Sequence, residues 1–268
     1  MNAEVPRPPL DPVALSDGLV GPGLPWRRLD VVAETGSTNA DLLARAAAGV
    51  DIDGAVLLAE YQTAGRGRHG RRWSAPPRSQ LALSVGVSAD GVPARAWGWL
   101  PLAAGVAVAD ALAGVPVRLK WPNDVVAGEQ KLAGILAEVA APHPVVVVGL
   151  GLNVTMTADE APDPDNTSAT SLAILGAPIL DRNMLARNVL SHLAARIEAW
   201  RAADPALAAD YRRHSATLGT RVRALLPGDR QIEGLAEAVD ELGRLRIDTG
   251  ARRAAVSAGD IVHLRPGT

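Results

Sequence analysis

The sequence predicts an α+β fold: a mixed central β-sheet with helices packed on it, followed by a small all-β domain. Three observations predict it. Between Trp26 and about residue 216, strand-like and helix-like segments alternate irregularly, which favours a mixed sheet over a doubly wound parallel one. After Leu218-Gly219 the texture changes to short, evenly spaced β-type runs separated by Gly/Asp turns, the pattern of a small five-stranded barrel. A chain of 268 residues with 48% hydrophobic and 21% charged content is long and apolar enough for one large domain and one small one. The expected organisation is an N-terminal arm over residues 1–25, a main domain over 26–216 and a C-terminal domain over 217–268. With no Phe in the chain, the core is aliphatic, and each of the six Trp needs its own explanation.

The elements follow in order. Pro6, Pro8, Pro9, Pro12, Pro22 and Pro25 break the first 25 residues into an irregular arm expected on the surface. Residues 29–33 are a short strand. Thr38-Asn39-Ala40-Asp41 reads as a T-x-x-D helix start, followed by Leu42, Leu43 and Ala46, with Gly49 as the stop. Residues 55–59 read as a buried strand, and an arginine- and glycine-rich loop leads to a strand over 81–87. Residues 97–113 form an apolar, mostly buried helix. Short strands are expected at 117–121 and 125–127, and a longer one at 131–139 that pairs back across a turn at Gly128-Glu129. Residues 145–152 are continuously apolar, as in a strand buried on both faces. Pro, Asp and Ser/Thr make 159–170 a loop. Asp181 caps a long helix to about Arg201, and a second helix covers 205–214. The barrel strands are expected at 222–226, 232–238, 245–248, 254–257 and 261–264, with turns at Gly228-Asp229, Gly243, Thr249-Gly250 and Gly259-Asp260.

Composition excludes several function classes. A net charge of −2 makes the arginine cluster a local feature and argues against a general nucleic-acid binder. The absence of Cys excludes disulfides, thiolate zinc sites and cysteine nucleophiles, and fits a reducing cytoplasm. No apolar run reaches the length of a membrane span, and the first residues lack the apolar stretch of a signal peptide.

Four segments carry chemistry. The first places four arginines and three glycines between Gly65 and Arg72, with no acidic residue from Gln62 to Gln80. Glycine lets backbone approach a ligand closely and arginine supplies planar, permanently charged donors, so the loop is suited to wrap an anion. Gly65-x-Gly67-x-x-Gly70 matches the dinucleotide fingerprint, and Asp90 even stands about 20 residues on. That fingerprint must open a helix, which Pro76-Pro77 prevent, so the dinucleotide reading is rejected. The second segment is Lys120-Trp121-Pro122-Asn123-Asp124 followed by Lys131-Leu132-Ala133-Gly134-Ile135-Leu136. Lys131 opens an otherwise apolar strand, where it either solvates the strand end or partners a carboxylate or phosphate; the interior Gly134 favours a ligand close by. The third is Glu34 to Asn39, whose Ser37, Thr38 and Asn39 offer more polar groups than one helix cap uses. The fourth is Gly149-Leu150-Gly151-Leu152-Asn153, which read alone is as readily a plain glycine-rich strand end.

Taken in order, these segments resemble the motifs of the biotin protein ligases, over a span from about Trp26 to the C-terminal barrel. The resemblance implies that family's catalytic fold, shared with the lipoate enzymes, with an SH3-like C-terminal domain. Family members that double as repressors carry an N-terminal winged helix-turn-helix; only the Pro-rich arm stands here, so a single-function enzyme that does not bind DNA is expected. The implied reaction joins biotin and MgATP into biotinyl-5′-AMP and pyrophosphate, then passes biotin to a lysine of a carboxylase carrier domain. By resemblance, Lys131 and Arg68 are catalytic, with Lys131 near the biotin carboxylate and the α-phosphate. Ser37, Thr38, Asn39, Gln62, Arg66, Gly67, Arg68, Lys131 and Gly134 bind biotin. Arg66, Arg68, Arg71, Trp73, Asn123, Asp124, Lys131 and Asn153 bind ATP or the adenylate, and Asp124 orients the acceptor lysine. No dedicated metal ligands are implied; Mg2+ accompanies ATP. Two rival readings are a lipoate or octanoyl enzyme of the same superfamily and a non-enzymatic nucleic-acid-binding module.

Overall fold

The structure is a computed structural model that describes residues 6–141, 144–161, 169–226, 228, 230–257 and 259–264. Residues 162–168 of the expected 159–170 loop, Asp229 of the 228–229 turn and the start of the arm lie outside the described residues.

Seven strands form the central sheet: β1 (Arg28–Val32), β2 (Ala55–Ala59), β3 (Gln80–Ser88), β4 (Val117–Lys120), β5 (Asp124–Ala127), β6 (Gln130–Ala140) and β7 (Val145–Asn153). Their order is β1-β2-β3-β7-β6-β5-β4; β1 and β2 run parallel and every other pair antiparallel, so the sheet is mixed as expected. The all-apolar β7 lies between β3 and β6. Side chains alternate between the two faces of a strand. On one face Leu81, Leu83, Val85, Val146, Val148, Leu150 and Ile135 meet the helices α3 (Leu100–Ala111), α4 (Arg182–Arg201) and α5 (Pro205–His214) in the main core. On the other, α2 (Thr38–Ala47) sets Leu42 and Ala46 against Leu57 and Val147. The alternate positions of the middle strands beside α2 are Ser84 on β3, Gly149, Gly151 and Asn153 on β7, and Gly134, Leu136 and Glu138 on β6. Small and polar residues there leave the sheet open next to α2.

Three expectations need correction. The helix expected over 97–113 is a 3-10 turn, Ala94–Trp99, followed by α3. Pro101 is compatible only with a first helical turn, so the α-helix starts beside it. The cap of α2 is Ser37, whose Oγ accepts from Ala40 N, rather than Thr38. The arm lies on the surface but is not wholly irregular: Asp11 caps a short helix, α1 (Pro12–Ser16), and Leu10, Leu15 and Leu19 are buried anchors.

The second sheet contains β8 (Arg221–Leu226), β9 (Arg230–Val239), β10 (Leu245–Asp248), β11 (Arg253–Val256) and β12 (Asp260–His263), antiparallel in the order β11-β10-β9-β8-β12. It docks on the first through tryptophans. Trp99 Nε1 donates to Asp240 O at 2.8 Å and Trp121 Nε1 to Gly243 O at 3.0 Å. Gly98 and Gly243 allow this approach, since a Cβ on either would strike backbone carbonyl oxygen of the opposing segment.

Candidate active site

A cleft of about 350 Å³ opens on the α2 side of the sheet, where the glycines of β6 and β7 leave room. Its wall nearest α2 is neutral and polar. With Ser37 serving as the cap, Thr38 and Asn39 fall inside the first helical turn, and both are buried. Gln62 Oε1 accepts from Thr38 N at 2.9 Å and from Thr38 Oγ1 at 3.1 Å. Ser84 Oγ lies 2.6 Å from Asn39 Oδ1 and 2.7 Å from Thr38 Oγ1, completing a buried hydroxyl and amide network. Asn39 rests on Gly149, where a Cβ would collide with its Oδ1.

The floor is an indole on a pair of glycines. Gly134 and Gly151 are cross-strand partners, and a Cβ on Gly151 would overlap the Trp73 ring. Trp73 Nε1 donates to Gln80 Oε1 at 2.6 Å. Lys131 Nζ stands 5.5 Å from the centre of the same ring, within cation–π range. A bulge between Val125 and Val126 shifts the β5–β6 register, so Lys131 joins Gly134 and Leu136 at the cleft.

Arginines form the remaining wall. Arg66 Nη2 pairs with Glu138 Oε1 at 2.8 Å. Arg68 Nη1 donates to Asn123 Oδ1 at 3.1 Å and to Gly259 O at 3.3 Å. Burial pushes the Arg68 pKa down, while the charges of Asp260 and Asp124 push it back up. Arg71 Nη2 pairs with Asp260 Oδ1 at 2.7 Å, so the loop also touches the C-terminal sheet.

The structure thus brings Ser37, Thr38, Asn39, Gln62, Arg66, Gly67, Arg68, Arg71, Trp73, Asn123, Lys131, Gly134 and Asn153 around one cleft. Asp124 stands apart from its lining and forms an ion pair with Lys131 Nζ at 2.7 Å. Asn153 lines the cleft while its Nδ2 donates to Thr170 O at 2.9 Å. Sequence reasoning missed Ser84 and Glu138. Both are polar residues in strand runs, in phase with the glycines rather than with the leucines and valines, and that phase was the available signal.

Chemically, the cleft joins a neutral polar pocket to a cluster of fixed cations. Comparison with known proteins identifies the group of enzymes with this arrangement. Residues 51–154 match the profile described as the biotin/lipoate A/B protein ligase family, and 217–264 match the biotin protein ligase C-terminal domain. The chain is 60% identical over 265 residues to a biotin–[acetyl-CoA-carboxylase] ligase of Mycobacterium tuberculosis, covering 97% of each. The chain belongs to the biotin protein ligase family. Among solved structures, the biotin protein ligase of Aquifex aeolicus in complex with biotin and ATP superposes with a TM-score of 0.75 at 27% identity, over 90% of this chain and all of that one. The Leishmania major biotin protein ligase in complex with biotinyl-5-AMP gives 0.59 at 25% identity, over 90% of this chain and 99% of the other. The first profile spans biotin and lipoate enzymes alike, whereas these relatives fall on the biotin side; neither the lipoate nor the nucleic-acid reading is favoured. Among the described residues no helix of this biotin protein ligase is long and apolar enough to cross a membrane.

Proposed function

We propose that the protein is a cytoplasmic biotin–[acetyl-CoA-carboxylase] ligase. A biotin carboxylate oxygen attacks the α-phosphorus of ATP, pyrophosphate leaves, and biotinyl-5′-AMP remains in the cleft. The amine of a carrier-domain lysine then attacks the acyl carbon, the acyl–phosphate bond breaks, and AMP leaves with its electron pair. The observation that carries this reading is the junction on β6, where Lys131 stands between the neutral pocket and the arginine loop.

The residues suit the substrates. Biotin's ureido ring is uncharged, with two N–H donors and one carbonyl, and Thr38, Asn39 and Gln62, held in place by Ser84 behind them, meet it without burying a charge. Bringing a carboxylate to a phosphate sets two anions against each other, and Lys131, Arg66 and Arg68 offset that repulsion as charge moves onto the bridging oxygens. Arg71 is suited to the leaving polyphosphate, and Trp73 presents an aromatic face to the nucleotide. Asp124 orients Lys131 rather than the acceptor lysine, because its carboxylate is already engaged. Among the described residues no three His, Asp or Glu side chains gather into a metal cage. Mg2+ would therefore be held chiefly by phosphate oxygens and water and would neutralise phosphate charge, with Asn123 and Asn153 as nearby oxygen donors.

The test is ATP–pyrophosphate exchange. Exchange is expected only when biotin is present, and the protein should then label a carboxylase carrier domain on one lysine. Exchange without biotin, or equal exchange with lipoate or octanoate, overturns the proposal.

A further inference from the structure

Among the described residues, Glu138 lies behind the lining of the cleft and bonds to a residue of each of two of its walls. It sits on β6 two residues beyond Leu136, opposite Val147, with its side chain about one-fifth exposed. Its Oε1 accepts from Arg66 Nη2 at 2.8 Å, and its Oε2 accepts from Asn39 Nδ2 at 2.9 Å. Arg66 belongs to the loop; Asn39 belongs to α2 and the neutral pocket.

We infer that Glu138 is a positioning residue that locks the arginine loop to the biotin pocket, setting the polarity of Asn39 and the place of Arg66 together. The inference rests on the reading of the cleft as a biotinyl-adenylate site. Asn39 Nδ2 has two hydrogens, and both are used: one on Glu138, the other on Leu136 O at 3.2 Å. Its Oδ1 accepts from Ser84 Oγ at 2.6 Å and keeps one lone pair. The amide therefore offers an acceptor, not a donor, to an incoming ligand, and a ureido N–H is the group that uses it. Arg66 has five N–H donors, of which the Glu138 contact takes one; the others stay available to an anion in the cleft.

Only a carboxylate can do both jobs. Each Glu138 oxygen faces a donor, so the side chain must present two acceptors. A glutamine presents one acceptor and one NH2, so either orientation turns an N–H against the Arg66 guanidinium or the Asn39 amide. The substitution preserves shape and volume but forces one partner to turn away.

Glu138→Gln is therefore expected to raise the KM for biotin about tenfold or more, the scale of a lost charge-assisted hydrogen bond, and the KM for ATP by a clearly smaller factor, because Arg66 is one of several cations that face the phosphates. Bound biotinyl-AMP should dissociate faster by a similar factor. In combination with Arg66→Gln the losses should fall short of additive, because each single change already breaks the shared contact. A thermal melt reports whether the variant is folded, and Glu138→Asp, which keeps two acceptors, should recover part of the biotin KM. Wild-type biotin and ATP KM values in the Gln variant, or equal changes in both, overturn the lock while leaving biotin-dependent exchange by the wild type intact. Failure of that wild-type exchange instead removes the functional reading beneath it.

Discussion

At the scale of single residues, the proposed chemistry turns on Lys131. Its ammonium is held from two sides, by Asp124 at 2.7 Å and by the face of Trp73, and its side chain is 28% exposed. A cation fixed in this way need not reorganise when negative charge builds on the α-phosphate, which is the condition for electrostatic catalysis. Lys131→Ala removes that charge from a partly solvated strand end without opening the aliphatic core. The variant is expected to melt within a few degrees of the wild type but to lose adenylate formation by about 10²–10³-fold, the scale seen on deleting one preorganised donor. Biotin-dependent pyrophosphate release measures it, and an unchanged rate removes Lys131 from this role. The sequence reading found this residue from its setting, a lysine opening an apolar strand with a glycine three positions on. It could not supply the reason for Gly151, which by itself was indistinguishable from a glycine-rich strand end. The reason is an indole delivered from residue 73, whose ring occupies the space a Cβ would fill.

At the scale of the element, the arginine loop is a small hairpin. Trp73 N donates to Gly65 O and Gly67 N to Arg71 O, with Arg68–Gly70 turning between them through left-handed His69 and Gly70 (φ 57° and 74°). Only Gly at 65 permits the close pass of the Trp73 carbonyl. Its composition was legible at once, and so was its suitability for an anion. Its partners were not, because Arg66 and Glu138 lie 72 positions apart, and Arg71 and Asp260 lie 189 apart. Pairs that distant leave no local pattern in a single sequence; the same limit hid Ser84. In this fold carboxylates and carbonyls answer the four arginines, Arg72 included, through Thr63 O. The ion pairs of Arg66 and Arg71 leave both guanidinium groups about half exposed, within reach of an anion that enters the cleft. A phosphate reached by several guanidinium groups at once is a stronger acceptor. Residues 64–72 should therefore exchange their amide hydrogens rapidly in the free protein and several-fold more slowly with biotinyl-AMP bound. Equal protection in both states would remove the loop from adenylate binding.

At the scale of the whole molecule, the N-terminal arm holds the site from behind, a role its proline content concealed. A chain laid on the surface is still anchored where side chains satisfy its backbone polar groups and a few apolar residues reach the core. Leu10 N donates to Glu60 Oε1 and Arg182 Nη2 to Pro8 O, each at 2.5 Å, around the buried Arg182–Glu60 pair at 2.6 Å. Glu60 stands two residues before Gln62 of the polar pocket, and Arg182 Nη1 also reaches Gln80 O, on the residue that holds Trp73. Ahead of this contact, Arg7 spans Thr155 O, Thr155 Oγ1 and Glu160, fixing the chain that leaves β7 and whose continuation returns to the cleft at Ala169. The hydrogen bond from Arg7, before any other influence, holds the Glu160 carboxyl down at about 2, against an ordinary value of 4.5. A depressed carboxyl stabilises the fold above its unfolded pKa, and that stabilisation is lost as pH falls through the folded one. The pair is partly solvated, so its effect is that of a surface ion pair, and Arg7→Ala should lower the melting temperature by about 1–3 °C at pH 7. The gap between variant and wild type should shrink steadily from pH 5 to pH 3, where the unfolded chain has already protonated Glu160 and the folded one has not. Melts of both proteins across that range measure it. A gap that stays constant would mean that Arg7 acts only through Thr155, with no contribution from Glu160.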